Sequence, residues 1–117
     1  MHSTTLDFAV LLQTFLNGGV YDGNRIFSRA TVKAMTADQN LHLQTPWLGW
    51  ALGRSILWNF FGDLTSPSTF GNARVTGTVA WADPGPKLIS VILTYRLLDE
   101  GRLLRLISNA VAASIEN

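Results

Sequence analysis

The stretch that most constrains this chain runs from Phe70 to Arg96, where two turn signals cut an apolar sequence into three short pieces. Thr76-Gly77 supplies a glycine that tolerates positive φ, and Asp83-Pro84-Gly85-Pro86 holds two prolines, which have no N–H to give to a strand ladder. Between the turns, Thr78 to Ala82 and Leu88 to Tyr95 are rich in Val, Ile, Leu, Thr, Trp and Tyr, residues that fit a pleated, half-buried surface. The pattern predicts a β-meander. In its last strand both alternating sets, Leu88/Ile92 and Ile89/Val91/Leu93, are apolar, so that strand needs structure packed above and below it.

Helices flank the meander in sequence. Thr4 with Asp7 three residues on forms a shortened capping box, and Asn17-Gly18-Gly19 supplies a stop, which predicts a helix from Thr5 to Leu16. Its expected apolar stripe is Leu6, Ala9, Val10, Leu12 and Leu16, with Gln13 as the break. Val20-Tyr21-Asp22-Gly23 reads as a turn, and Ser28 caps a second helix from Arg29 to Met35 or Thr36, with Ile26, Ala30, Val32 and Met35 as its buried side. Asp38 to Pro46 and Asp63 to Ser68 read as loops, with a strand from Leu48 to Arg54 that Ser55 to Phe61 extends. After Asp99-Glu100-Gly101, Leu103, Leu104, Leu106, Ile107, Ala110, Val111 and Ile115 recur at helical spacing with Arg102 and Arg105 on the polar side, which predicts a C-terminal amphipathic helix.

Composition narrows the function classes. At 117 residues the chain is one small domain, spanning 1–117, or a piece of one. A net charge of +1 without a basic run gives no electrostatic footprint for nucleic acid. The chain has no cysteine, and His2 and His42 lie far apart, so neither a disulfide framework nor a metal site is expected, and no cofactor is implied. Met1 is followed by a polar capping sequence, not by a basic segment and a long apolar run. The expectation is therefore no signal peptide, no membrane span and a cytoplasmic chain if it is translated as it stands.

Several of these segments carry a resemblance. Phe70-Gly71, Thr76-Gly77-Thr78, Trp81 and Asp83-Pro84 resemble the run from the third active-site motif into the next strand in the serine β-lactamase, penicillin-binding protein and esterase family, of the class C type. Ser3-Thr4, Asp7, Leu16-Asn17-Gly18-Gly19, Asp22-Gly23, Arg25-Ile26-Phe27-Ser28 and Thr31-Val32 with Met35 fit the order of that family's upstream helices, and Leu48-Gly49-Trp50 resembles its Gly-Leu-Gly-Trp strand. The resemblance covers nearly the whole chain but only the C-terminal third or so of the family's catalytic domain.

What the resemblance implies is serine acyl transfer with part of the machinery elsewhere. Family members place the nucleophile in Ser-x-x-Lys and follow it with Tyr-x-Asn. Here no Ser has a Lys three residues later, and neither Tyr21 nor Tyr95 has an Asn two residues on. A serine hydroxyl is a weak nucleophile until a neighbouring base takes its proton, so this chain alone has no catalytic residue to name. The third motif, in the family a Lys or His, a Thr or Ser, and a Gly, reads Asn72-Ala73-Arg74. These three residues are the remnant of a substrate pocket, and the backbone N–H of Val75 falls where the family has one oxyanion-hole donor. Two readings of the remnant stand side by side: a pocket altered to take an anionic ligand through Arg74, or a decayed motif on an ordinary strand.

Other residues have ordinary explanations beside their chemical ones. A lone loop histidine such as His42 is solvated more often than catalytic. Trp47, Trp50, Trp58 and Trp81 offer aromatic surface for a ligand, but Trp50 and Trp81 sit on strands and suit a core. Asp7 and Asp22 fit capping and turn roles.

The expected fold is α+β: an antiparallel sheet of about four strands with two N-terminal helices and a C-terminal helix packed on it, a partial β-lactamase/transpeptidase-like fold. The expected function is that of a C-terminal fragment of a β-lactamase-like serine hydrolase, inactive without its nucleophile. The alternative is a non-catalytic binding or assembly module using the Arg74 region and the sheet edge. The fragment reading predicts association, as a homodimer or with an N-terminal complementing chain, through Leu88 to Tyr95, because the fragment would leave that edge unpaired and one sheet face bare.

Overall fold

The computed structural model describes residues 4–37, 61–74, 77–94 and 102–115. Thr4 starts the chain's first helix: its hydroxyl accepts from the amide of Asp7 at 3.2 Å, which satisfies one of the free N–H groups at the helix start, and α1 runs Thr5–Leu16. Asn17 closes it, donating its backbone N–H to Gln13 O at 2.9 Å. A small hairpin follows, β1 (Val20–Tyr21) against β2 (Asn24–Arg25), turned by Asp22 and Gly23, which both lie at positive φ. Ser28 then caps α2, Arg29–Thr36, by accepting from the amide of Thr31 at 3.0 Å.

The meander forms as the sequence predicts. β3 (Phe70–Arg74), β4 (Thr78–Asp83) and β5 (Leu88–Leu93) pair antiparallel in the order β3-β4-β5, with Phe70 opposite Ala82 and Trp81 opposite Ser90. Gly77, at φ +90, stands in the first turn, and its carbonyl accepts both the backbone N–H (2.9 Å) and the side-chain hydroxyl of Thr94. The last helix, α3, runs Arg102–Ala113. The fold is thus α+β, with three helices, a two-stranded hairpin and a three-stranded sheet among the described residues. Of the expected strand from Leu48 to Phe61 only Phe61 lies within the described residues, where it is a buried turn residue.

Strand alternation sends β4 into two separate cores. Ala80 and Ala82, with Phe70 of β3, pack against Leu12 and Phe15 of α1, and Ile89 and Val91 of β5 border the same cluster. Val79 and Trp81 point the other way, into a cluster with Phe61 and Leu104, bordered by Leu88, Ile92 and Val111. Both apolar sets of β5 are therefore used, one on each face, as its sequence requires. Aromatic contacts fix the first cluster. The Phe15 ring stacks on Phe27 with centroids 5.4 Å apart and meets Phe70 edge-on at 6.2 Å.

Three expectations need correction. Among the described residues neither sheet face is left bare, because α1 packs on one and α3 on the other. The buried stripe of α1 is Leu12 and Phe15, flanked by Phe8 and Leu16, while Leu6 is 77% exposed and Val10 is exposed too: Leu12 and Phe15 are on the side of the helix that meets Phe70, Ala80 and Ala82. Of the side proposed for α2 only Val32 is buried, with Ile26, Ala30 and Met35 exposed. The same selection occurs on α3, where Leu104 and Ser108 face in and Leu103 and Leu106 face out.

Candidate functional site

The residues singled out by sequence lie on β3, and the structure shows how that strand is held. Phe70 anchors its start, 3% exposed, in the α1-side core. Gly71 follows, pressed against β4: a Cβ there would stand 2.1 Å from the carbonyl oxygen of Ala80 and 2.7 Å from Cα of Trp81. Only a residue without a side chain fits this close backbone approach. Asn72, opposite Ala80, is exposed, on the same side of the strand as Phe70. Ala73 pairs with Val79 and Arg74 with Thr78 in the backbone register. Val75 lies outside the described residues. Asn72, Ala73 and Arg74 thus occupy the last three positions of a strand whose first two are closely seated.

The seat joins the end of β4 to the loop before β3, a contact that the turn signal at Asp83 did not disclose. Asp83, at the end of β4, is 3% exposed and accepts hydrogen bonds from the Ser66 backbone N–H (2.7 Å), the Ser66 hydroxyl and the Gly85 backbone N–H (3.0 Å). Burial alone would raise its pKa, but the hydrogen bonds from Ser66 and Gly85 outweigh it and hold the carboxyl below its ordinary value. The signal was present in the sequence: an Asp two residues before Gly, with Pro between, is an Asx-turn pattern.

A second set ties the preceding loop to α3. The Asp63 carboxylate takes a two-pronged contact from Arg105 (Nε at 3.0 Å, terminal N–H at 2.8 Å) and a bond from the Asn109 amide at 3.1 Å, while the Asp63 backbone N–H donates to Asn109 Oδ1 at 2.6 Å. Deeper in, the indole N–H of fully buried Trp81 donates to the Ser108 hydroxyl at 3.0 Å.

The remaining candidates separate. Trp81 is core, as expected. Asp7 belongs to the α1 cap and Asp22 to the hairpin turn. His42, Trp47, Trp50 and Trp58 lie outside the described residues. Among the described residues no group of three or more His, Asp or Glu side chains is placed to hold a metal ion, and no helix is long and apolar enough to cross a membrane.

No family model matches the chain. Relatives of known sequence do. The chain is 41% identical over 97 residues to a protein of Escherichia coli O157:H7 named "Putative D-alanyl-D-alanine carboxypeptidase", and 38% identical over 97 residues to a protein of Salmonella typhi with the same name. In both cases the match takes in 82% of this chain, and the chain spans about a fifth, 22%, of the relative's length.

Proposed function

Because the chain belongs to the class C-type serine β-lactamase, penicillin-binding protein and esterase family, as a segment of a carboxypeptidase-like hydrolase, we propose that it forms the substrate-side wall of an acyl-transfer site whose nucleophile lies in another part of the protein. The observation that carries this reading is the 41% identity over most of the chain to a protein more than four times the length of the match. The wall is β3. The close seat on β4 at Gly71 and the exposure of Asn72 support this reading, in which an acyl group bound along the strand would meet Asn72.

The substrate class is a D-alanyl peptide, a β-lactam or a related ester, the acyl donors that the family shares. Asn72 still offers an amide for hydrogen bonding, but Ala73 has no hydroxyl and Arg74 replaces a glycine. The segment is inactive alone, and it works only when a chain or segment supplying Ser-x-x-Lys and Tyr-x-Asn docks along the edge Leu88 to Tyr95.

The test joins this chain to such a segment and measures acylation by a chromogenic β-lactam, with Asn72-Ala73-Arg74 as it stands and with His-Thr-Gly restored there. The reading expects a faster acylation on restoration. An unchanged rate would mean that β3 does not face the acyl group, and turnover by the isolated chain that a serine-directed acylating agent abolishes would overturn the reading altogether.

A further inference from the structure

We propose that Asp83 is a positioning residue for β3, setting the depth and register in which Asn72 to Arg74 are presented, by holding the loop that leads into that strand. The proposal rests on β3 being the substrate-side strand, but its geometry is independent of any substrate. Asp83 ends β4, and Phe70, which begins β3, lies opposite Ala82, the residue before it. The chain reaches Phe70 through Ser66 to Thr69, and here the carboxylate of Asp83 takes hold, with both the amide and the hydroxyl of Ser66 donating to it. The Ser66 hydroxyl also meets that of Ser68 at 2.9 Å, and Thr69 N–H donates to Ser66 O at 3.1 Å, so the loop is closed on itself as well as on Asp83.

This clamp acts on one end of the strand only. The other end of β3 passes into the turn at Gly77, whose carbonyl is gripped by Thr94 beyond the end of β5. Between the two grips Gly71 has no side chain with which to correct a slip, and a shift of one residue would turn Asn72 to the opposite face of the sheet. Phe70 in its pocket resists large movement, while the carboxylate fixes the small one, the depth at which the loop enters. A carboxylate suits this task because it accepts several bonds at once from donors that approach from different directions.

The experiment compares wild type, Asp83→Asn and Ser66→Ala by nuclear magnetic resonance of the amide-labelled chain. Ser66→Ala keeps the amide bond and removes only the hydroxyl, so it guards against a variant that fails to fold. The expected result is a displacement of the Gly71, Asn72 and Arg74 amide resonances in both variants, larger for Asp83→Asn, while those of Ile89 to Ile92 in β5 stay within their wild-type positions. Native-like β5 resonances with unmoved β3 resonances would overturn the proposal. So would an equal disturbance of all three strands, which would make Asp83 a general stabiliser. These shifts are read with Asn72-Ala73-Arg74 unchanged and the acylation test reads a rate on the joined protein, so the fate of the acyl-transfer reading and that of the clamp are decided separately.

Discussion

Single residues carry much of the specificity of this fold through polar groups placed inside it. Ser108 is fully buried on a helix face that is otherwise apolar, and it is there because the Trp81 indole N–H needs an acceptor. Ser108→Ala should therefore destabilise the chain by about 1–3 kcal/mol, the cost of leaving a buried donor unpaired, seen as a lower urea midpoint at unchanged slope. The exposed Arg105–Asp63 pair, with both side chains near half exposed, is a weaker element, and its removal should cost under about 1 kcal/mol.

Asp83 has a pH signature. Its folded-state pKa lies below the unfolded one, so its stabilisation is fully present above the unfolded value, about pH 4, and disappears as pH falls through the folded value. Urea unfolding between pH 5 and pH 2.5 should show wild type losing stability on acidification and Asp83→Asn, already weaker at neutral pH, losing less over the same window.

At the scale of elements, caps and turns were legible because they are local chemistry. Thr4, Ser28, Asp22-Gly23 and Gly77 fix backbone conformation within a few residues, and the elements begin and end where those residues place them. Helix faces were less legible. α1 and α3 carry apolar residues on more than one side, so periodicity offers several stripes and only the tertiary partner chooses between them, as it chooses Phe15 over Val10 and Leu104 over Leu103. The candidate site divides in the same way. Positions 72–74 were singled out through family likeness alone, while the Asp83–Ser66 contact joins residues 17 apart and shows only in the fold.

Gly71 makes the sharpest element-scale prediction. Gly71→Ala would force the new methyl into the Ala80 carbonyl, and because that obstacle is backbone, β3 must lift from β4. The expected loss is about 1–3 kcal/mol or more by urea unfolding, with β3 amides exchanging faster than those of β5.

For the whole molecule, the covering of both sheet faces moves the question of association from the faces to the edge. Among the described residues β5 has a strand on one side only, and its far side presents backbone groups that can pair with another strand. Light scattering at micromolar concentration should find a dimer or larger species, and Pro at Ile92, if its N–H points outward, should reduce it without unfolding the chain. A compact monomer that takes up no N-terminal partner would count against the docking edge proposed for this family segment.

The double use of β4 also bears on the order of folding. Its side chains alternate between two cores, one closed by a helix far upstream and the other by a helix soon after the meander. The β4–β5 hairpin and α3 are neighbours in sequence and can find one another quickly, whereas α1 has to close a long loop to reach Phe70 and Ala80. On a ribosome α1 is made before the meander that it covers. During that wait its Phe8, Leu12 and Phe15 have no sheet to cover, and this interval is when the nascent chain is most open to chaperones and to mispairing.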